Sequence, residues 1–198
     1  MSNTRDLRKL RTEQLLQTAL IELIREKSVY TITVKELTER AQINRVTFYA
    51  HYEDIFDFLE KKMSELVVGL VPQDAWTNDS DFLFKSGNAY NHYLHFFKHV
   101  EKHKEIFSAF LGDNGIPEFR QRIIRQGSER YHTMLARYED IYSDTVSRDI
   151  LVQYIISSHI GLVEYWLRTG MKYSAEYMAR QLVALTFSGP MKYLKLLQ

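Results

Sequence analysis

The sequence contains no cysteine, only three prolines and only eight glycines among its 198 residues. The absence of cysteine excludes disulfides, thiolate zinc sites and a cysteine nucleophile. Neither sign of charge is in excess, because 26 basic residues face 25 acidic ones for a formal net charge of +1. A balanced charge argues against a protein that coats nucleic acid or anionic membrane with its whole surface. Any electrostatic partner must therefore meet a local patch.

Long apolar runs and catalytic motifs are also missing. No uninterrupted apolar stretch approaches the ~20 residues that a membrane span needs, and the first residues lack the apolar core of a signal peptide. The sequence has no glycine-rich phosphate loop, no G-x-S-x-G elbow and no H-E-x-x-H pair. These absences predict a cytoplasmic protein without membrane contact, which is not an enzyme and holds no metal or cofactor.

Helical periodicity is the dominant pattern of the chain. Apolar residues recur three and four positions apart, as at Leu16, Leu20, Leu23 and Ile24, whereas two-residue alternation is hardly seen. The pattern predicts an all-α protein with few helix breakers. The predicted helices are about Thr4–Lys27, Val34–Ala41, Arg45–His51, one that follows Asp54, Asp81–Lys102, Lys104–Leu111, Pro117–Tyr138, Ser147–Thr169, Ala175–Ser188 and Met191–Leu197.

A segment rich in turn formers, residues 71–80, indicates a loop or linker between shorter helices and longer, more aromatic ones. We therefore expect two domains. Residues 1–62 form the first and residues 63–198 the second.

The spacing in the first domain is typical of a helix-turn-helix. Thr33 and Glu36 form a capping-box pattern, residues 42–44 have the length of a tight turn, and Asn44 is a good N-cap for a short polar helix. A single helix fits the major groove of DNA, where its first turn reaches base edges. Spacing alone leaves an alternative open, which is a helical hairpin whose polar face is merely solvated.

The segment Thr33–Tyr52, TVKELTERAQINRVTFYAHY, resembles the DNA-binding signature of the TetR/AcrR family, roughly T-[VM]-x-x-[IL]-[AT]-x-x-A-G-[VI]-[ST]-x-x-[TA]-[FL]-Y-x-[HY]-F. The motif resemblance covers about Thr12–Leu59, and the rest matches only in helix pattern and length. It implies a three-helix N-terminal head on an all-α body that senses ligands and dimerises. It also implies transcriptional control, usually repression.

Two positions depart from the family pattern. Gln42 stands where the family commonly has glycine, so we expect a slightly different turn. Ile55 stands where the family commonly has a lysine that contacts phosphate, and Glu53 and Asp54 nearby would repel phosphate. That backbone contact is therefore in doubt, with Tyr52 or the basic N-terminal arm, residues 5–11, as candidates to compensate.

The recognition hypothesis assigns roles to side chains of this segment. Arg45 is suited to guanine O6 and N7, the Thr47 methyl group to a thymine methyl, and the hydroxyls and the imidazole to phosphates. The candidate DNA-binding residues are Thr33, Lys35, Asn44, Arg45, Val46, Thr47, Tyr49, His51 and Tyr52.

The second domain is rich in aromatic residues, which would suit an apolar cavity for a small-molecule effector of unknown identity. A simply packed core uses the same residue types and remains the alternative. The candidate ligand-binding residues are Tyr90, Tyr93, Phe96, Phe97, Phe107, Phe110 and Phe119.

The last two long helices carry wide apolar faces, which predicts a homodimer that hides them in a two-fold four-helix bundle. The alternative is that these faces pack internally. The candidate dimerisation residues are Ile155, His159, Leu162, Val163, Trp166, Met178, Leu182 and Leu185.

Four histidines, His92, His95, His99 and His103, follow one another on a single predicted helix. The i, i+4 spacing within this set can share a metal, and histidine can sense pH. No acidic third ligand has that spacing and lysines surround the set, so a solvated or partly buried helix face is favoured.

Together these patterns predict a ligand-responsive, dimeric regulator that binds a double-stranded, palindromic DNA operator and represses a nearby operon. The alternative is a helical adaptor, bound to DNA or to protein, without an effector-controlled role in transcription.

Overall fold

The computed structural model describes residues 2–71, 86–136, 145–190 and 193, and every long element in these ranges is an α-helix. The all-α prediction is confirmed. The helices are α1 (Ser2–Glu26), α2 (Val34–Arg40), α3 (Arg45–Tyr49), α4 (Ile55–Val68), α5 (Ser86–Lys102), α6 (Lys104–Leu111), α7 (Pro117–Leu135), α8 (Arg148–Arg168) and α9 (Ala175–Ser188), with a 3₁₀ turn at Val29–Thr31.

Local capping chemistry explains the helix boundaries that match the prediction. The Asp54 Oδ1 atom accepts the Asp57 N–H at 2.8 Å and so caps the start of α4, and the Ser174 hydroxyl caps α9 in the same way at 3.2 Å. The helix α3 is shorter than predicted, because the backbone turns at Ala50 after Tyr49. The predicted linker from residue 72, the predicted start at Asp81 and the predicted helix Met191–Leu197, apart from residue 193, lie outside the described residues.

The chain divides into two compact units. The first comprises Met1–Glu65 and Glu105–Phe119, and the second comprises Leu66–Lys104 and Arg120–Gln198. Each unit buries its own aromatic core. Fully buried in the first are Phe48, Phe58, Phe107, Phe110 and Phe119, and in the second Phe97 and Trp166. The domain boundary after residue 62 stays a prediction.

In the second unit α5 packs along α9. The Lys98 Nζ atom lies 2.6 Å from a Glu176 carboxylate oxygen, and the Tyr93 and Thr186 hydroxyls are 3.4 Å apart. The helix α8 is the one described helix that is long and apolar enough, by length and composition only, to cross a membrane. Six of its side chains are buried inside the unit, including Trp166, whose Nε1–H donates to the Tyr173 carbonyl oxygen at 2.9 Å.

Candidate nucleic-acid interface

The helix α2 begins in the capping box that the sequence predicts. The Thr33 hydroxyl oxygen accepts the Glu36 N–H at 3.3 Å, and a Glu36 carboxylate oxygen accepts the Thr33 N–H at 2.9 Å. The Lys27 Nζ atom lies 2.5 Å from the other Glu36 oxygen. Lys27 and the Thr33 N–H together hold the pKa of Glu36 at about 2, so this exposed carboxylate is ionised at every working pH.

The turn between α2 and α3 closes as a Schellman motif. The Ile43 N–H donates to the Thr38 carbonyl oxygen at 3.0 Å and the Gln42 N–H to the Glu39 carbonyl oxygen at 3.2 Å. The motif requires a left-handed residue at its centre, and Gln42 adopts φ +54° there. Gln42 therefore adopts, with a Cβ atom, a conformation that glycine adopts more easily, and this places backbone strain at Gln42. Asn44 then starts α3, because its Oδ1 accepts the Val46 N–H at 2.8 Å.

One side of α3 anchors it and another faces solvent. The Phe48 ring is fully buried, with ring centroids 5.3 Å from Tyr52 and 6.1 Å from Phe58. Val46 is 75% exposed and Tyr49 is 56% exposed, so two large side chains stand on the surface of a five-residue helix. Val46 and Tyr49 thus give the anchored helix α3 an apolar surface that is accessible to another molecule.

The structure brings together most of the predicted DNA-binding residues around α3. Lys35, Asn44 and Arg45 are exposed with Val46 and Tyr49, while Thr47 and His51 are half-buried. Two residues are placed differently from the rest. The Thr33 side chain is engaged in the cap, and Tyr52 is 5% exposed in the core of the first unit, where burial raises its pKa.

Lys61 is a basic residue near α3 that the sequence reasoning missed. Its Nζ atom lies 3.3 Å from the His51 carbonyl oxygen, 2.8 Å from Asp57 Oδ2 and 5.2 Å from the centre of the Tyr52 ring. It therefore supplies a cation close to the C-terminal end of α3, although Ile55 supplies none. The i, i+4 spacing of Asp57 and Lys61 is typical of an ordinary ion pair on a helix surface. The sequence therefore does not indicate that Lys61 lies near α3.

Other charges of the first unit are mostly paired. Arg40 contacts Glu26 at 2.9 Å and Glu22 at 3.3 Å, whereas Arg45 lies 3.9 Å from the nearest Glu39 oxygen. At the start of α1 the side chains of Arg8, Lys9 and Arg11 are exposed. Their charge is a local basic patch in a chain whose net charge is close to zero.

The second unit contains a cavity that joins two of the seven predicted ligand-binding residues. Tyr93 and Phe96 line it, whereas Tyr90 and Phe97 do not. The other three predicted residues, Phe107, Phe110 and Phe119, are buried in the core of the first unit, where their rings pack against one another. The polar lining residues His92, Gln126, Arg130, Tyr131 and His159 were not predicted as ligand-binding, because only the tertiary fold brings α5, α7 and α8 together.

Three of the four histidines, His92, His95 and His99, lie on α5, and His103 follows directly after its last residue. His95 Nε2 lies 3.0 Å from the Gly69 carbonyl oxygen and His99 Nε2 lies 3.0 Å from the Leu66 carbonyl oxygen, so both hold the chain at the end of α4. Burial, with His103 beside it, lowers the pKa of His99 to about 4. Among the described residues no group of three histidines or acidic residues is placed to hold a metal ion.

The predicted dimerisation residues divide between core and surface. His159, Val163, Trp166, Met178 and Leu182 are buried within the second unit itself. Ile155, Leu162 and Leu185 are partly exposed along a groove between α8 and α9. The same two helices also expose other large side chains, namely Ile150, Tyr154, Tyr165, Tyr177 and Phe187.

Comparison with known proteins agrees with this architecture. A family model described as a transcriptional regulator C-terminal region, of the TetR class, matches residues 87–188, which is more than half of the chain. The uncharacterized HTH-type transcriptional regulator YxbF of Bacillus subtilis (strain 168) is 25% identical over 172 residues. The match covers 85% of this chain and 43% of YxbF, so the chain spans less than half the length of that curated relative.

Two solved structures illustrate the shared fold. A TetR transcriptional regulator from Streptococcus agalactiae 2603V superposes with a TM-score of 0.62 at 24% identity, covering 93% of this chain and 98% of that one. The transcriptional regulator FadR from Bacillus subtilis, solved in complex with stearoyl-CoA, gives a TM-score of 0.58 at 16% identity, covering 89% of this chain and 98% of that one. With the family model spanning α5 to α9 and a capped helix-turn-helix in the first unit, the chain belongs to the TetR family of transcriptional regulators.

Proposed function

We propose that this protein is a dimeric, cytoplasmic repressor of a nearby operon, which binds a palindromic operator through α3 and releases it when a small molecule binds the second unit. The observation that carries the proposal is the outward display of Arg45, Val46 and Tyr49 from a helix whose Phe48 is fully buried. A recognition helix must be both rigid and exposed, and this arrangement supplies both.

In this proposal α3 lies in the major groove. Arg45 binds guanine O6 and N7, since its ion pair with Glu39 is long at 3.9 Å and its side chain is half-exposed. Val46 and Thr47 offer methyl groups to a thymine methyl. Asn44 fixes the start of the helix through its cap, which presents these side chains in register.

Phosphate contacts surround the groove contacts. The candidates are Lys35, Tyr49 and the half-buried His51 of the helix-turn-helix, with the exposed bases at the start of α1. Thr33 is not among them, because its N–H and its hydroxyl are both engaged with Glu36. Lys61 takes the place of the lysine that the family commonly carries near Ile55. Tyr52 has a supporting role, because its side chain is held in the core of the first unit beside Phe48.

Dimerisation uses the surface side of α8 and α9. Ile155, Leu162 and Leu185 contribute from the groove, together with the exposed Tyr154 and Phe187. Gly161 is exposed, and no atom of the described residues beyond its own stretch of helix lies within 4 Å of the position of a Cβ there, so another backbone can approach closely. Two copies would then set two α3 helices about 34–36 Å apart, one turn of DNA, and read a palindrome.

Ligand control acts through the end of α4. This helix begins in the first unit and ends at Val68 in the second, where Val67 lines the cavity together with Leu70, two residues after the helix. His95 and His99 hold this end of the helix to α5. A ligand that fills the cavity and prefers another position of this end shifts the population away from the operator-binding form.

Selection of bound sequences from random DNA duplexes tests the proposal. We expect a palindromic site, and affinity that falls steeply with salt because several phosphates are contacted. Arg45→Ala should cost about 1–3 kcal/mol of binding free energy and relax the base preference at one position of each half-site. Arg25→Ala removes one exposed charge of the same unit, where Arg25 pairs with Glu105, and should leave the preference unchanged.

Two outcomes would contradict this assignment. Enrichment of no sequence would refute operator recognition. Equal base preference for Arg45→Ala and Arg25→Ala would refute the role of Arg45 in reading bases.

A further inference from the structure

The cavity of the second unit has a wall of unusual chemistry. Its body is apolar, formed by residues such as Phe96, Ile123 and Ile156, and its polar groups are imidazoles, an amide, two phenols and the Arg130 guanidinium. No acidic side chain belongs to this lining among the residues that the structure describes. The wall therefore offers hydrogen-bond donors and one fixed positive charge to whatever occupies it.

Arg130 has no carboxylate within ion-pair distance in the described part of the chain. Its side chain is half-buried, and burial lowers the pKa of its guanidinium. A desolvated charge is costly unless an opposite charge or strong acceptors meet it. An anion bound in the cavity would supply that opposite charge to Arg130.

His159 gives an independent indication of a ligand. Its side chain is 8% exposed, its Nε2 atom has no hydrogen-bond partner among the described residues, and it lines this cavity. The rings of Tyr93 and Tyr131 lie 5.2 and 6.1 Å from the imidazole ring, centroid to centroid. Buried polar atoms of native proteins nearly always have a partner, so this nitrogen marks a place for one.

The two histidines of the cavity wall are neutral, so Arg130 is the cationic group of the described lining. Burial lowers the pKa of His159 to about 3 and that of His92 to about 4, so both rings are neutral near pH 7. A neutral imidazole still provides one N–H donor and one acceptor. The cavity thus combines one cationic end with neutral polar groups on an apolar body.

The size of the cavity limits the ligand. The atom-free space of the cavity, counted with its opening to solvent, is about 580 Å³. Pockets for small organic ligands span roughly 300–1,000 Å³, so this one lies in the lower half of that range. A compact ligand fits without rearrangement, whereas a long chain requires the walls to move.

We propose that this cavity binds a compact amphipathic organic anion, whose charged group pairs with Arg130 and whose apolar body lies between Phe96, Ile123 and Ile156. The role of this anion as the effector rests on the proposed function. Its binding step is independent of that function, because the site lies wholly within the second unit. Val67 and Leu70 of the α4 end share the wall, so the anion contacts the element that ligand control uses.

Isothermal titration of the full chain with straight-chain monocarboxylates tests the binding. The probes are butanoate, hexanoate and octanoate, each compared with the primary alcohol and the primary amine of the same chain length. We expect carboxylates to bind about tenfold or more tightly than the alcohols, because a charge-assisted pair is lost in the alcohol. Amines should bind no better than alcohols.

Substitutions on α7 provide the matched set. Arg130→Gln should weaken carboxylate binding about tenfold or more and leave alcohol binding unchanged, whereas Arg130→Lys should retain part of the preference. Arg125→Gln removes an exposed charge from the same helix, away from the cavity lining, and should behave as the unmodified protein.

Three results would overturn the inference: no binding of any carboxylate, equal binding of alcohol or amine, or unchanged carboxylate affinity in Arg130→Gln. Operator affinity is measured in parallel with and without the carboxylate. Carboxylate binding that leaves operator affinity unchanged would refute the effector role alone, and a protein without operator affinity would refute the proposed function while leaving the anion site established.

Discussion

The strained turn between α2 and α3 offers the sharpest test of how this sequence forms its recognition motif. Gln42 is the central residue of the Schellman turn and adopts φ +54°, a left-handed conformation that glycine adopts without strain. Its side chain is exposed, so a substitution changes the backbone preference and little else. We predict that Gln42→Gly stabilises the first unit.

The magnitude follows from two opposing contributions. A residue with a Cβ atom loses about 1–2 kcal/mol in the left-handed region. Glycine loses about 0.5–1 kcal/mol more conformational entropy on folding than other residues. With the middle of each range, the difference is a gain of about 0.75 kcal/mol in the free energy of unfolding, and a chain of this size should melt about 1.5–3 °C higher.

Urea denaturation followed by circular dichroism measures this change, at one fixed protein concentration because a dimer couples stability to concentration. Hydrogen exchange of the Ile43 and Val46 amides shows whether the gain is local to the turn. Gln42→Ala keeps the Cβ atom and should stay within about 0.5 kcal/mol of the unmodified protein. If Gln42→Gly were no more stable than Gln42→Ala, strain at this turn would not be the reason for the difference.

Three further predictions concern the cap, the core and a buried titratable group. Thr33→Ala should lower the free energy of unfolding by about 1 kcal/mol through loss of the capping box, whereas Thr33→Ser should restore it, as measured by urea denaturation. Phe48→Ala should destabilise the first unit by about 3–5 kcal/mol, while the exposed Val46→Ala should leave stability within about 0.5 kcal/mol and lower operator affinity; comparable loss of stability in both would contradict the orientation of α3. The folded-state pKa of His159 is about 3 against an ordinary 6.5, so the unfolded chain takes up this proton first and stability is lost as pH falls from 6.5 towards 3. In His159→Phe the loss of unfolding free energy on acidification should be smaller by up to about 1.4 kcal/mol per pH unit. Denaturation at pH values above and below 6.5 measures this difference. A pH dependence equal to that of the unmodified protein would mean that the imidazole is in water.

The sequence was informative wherever a local rule sets the structure. The capping box at Thr33 and the caps at Asn44 and Asp54 appear where the residue types predict them, because each needs only neighbours three or four positions away. The exact ends of α6 and α9 follow from the same local periodicity and breakers. The expected difference between the turn at Gln42 and the family's glycine turn stays a prediction, while the structure shows that Gln42 itself adopts the left-handed conformation.

The predicted locations agree less well with the structure where residues were grouped by composition alone. Phe107, Phe110 and Phe119 share aromatic character with Tyr93 and Phe96, yet the three pack in the first unit and the two line the cavity of the second. Aromatic residues suit a core and a cavity equally, so their type does not distinguish the two. The apolar faces of α8 and α9 are equally ambiguous, since Val163 and Trp166 face inward while Tyr154 faces solvent.

What the sequence by itself determined is the set of helices, the helix-turn-helix and the family to which its signature belongs, because periodicity, capping and motif spacing are properties of neighbouring residues. What only the tertiary structure decided is which side of each helix is covered. The structure exposes Val46 on the surface of α3. It also brings Lys61 of α4 close to the end of α3, and Arg130 of α7 to the same cavity as His159 of α8. Such contacts are set by how helices pack, and no spacing along a single helix encodes them.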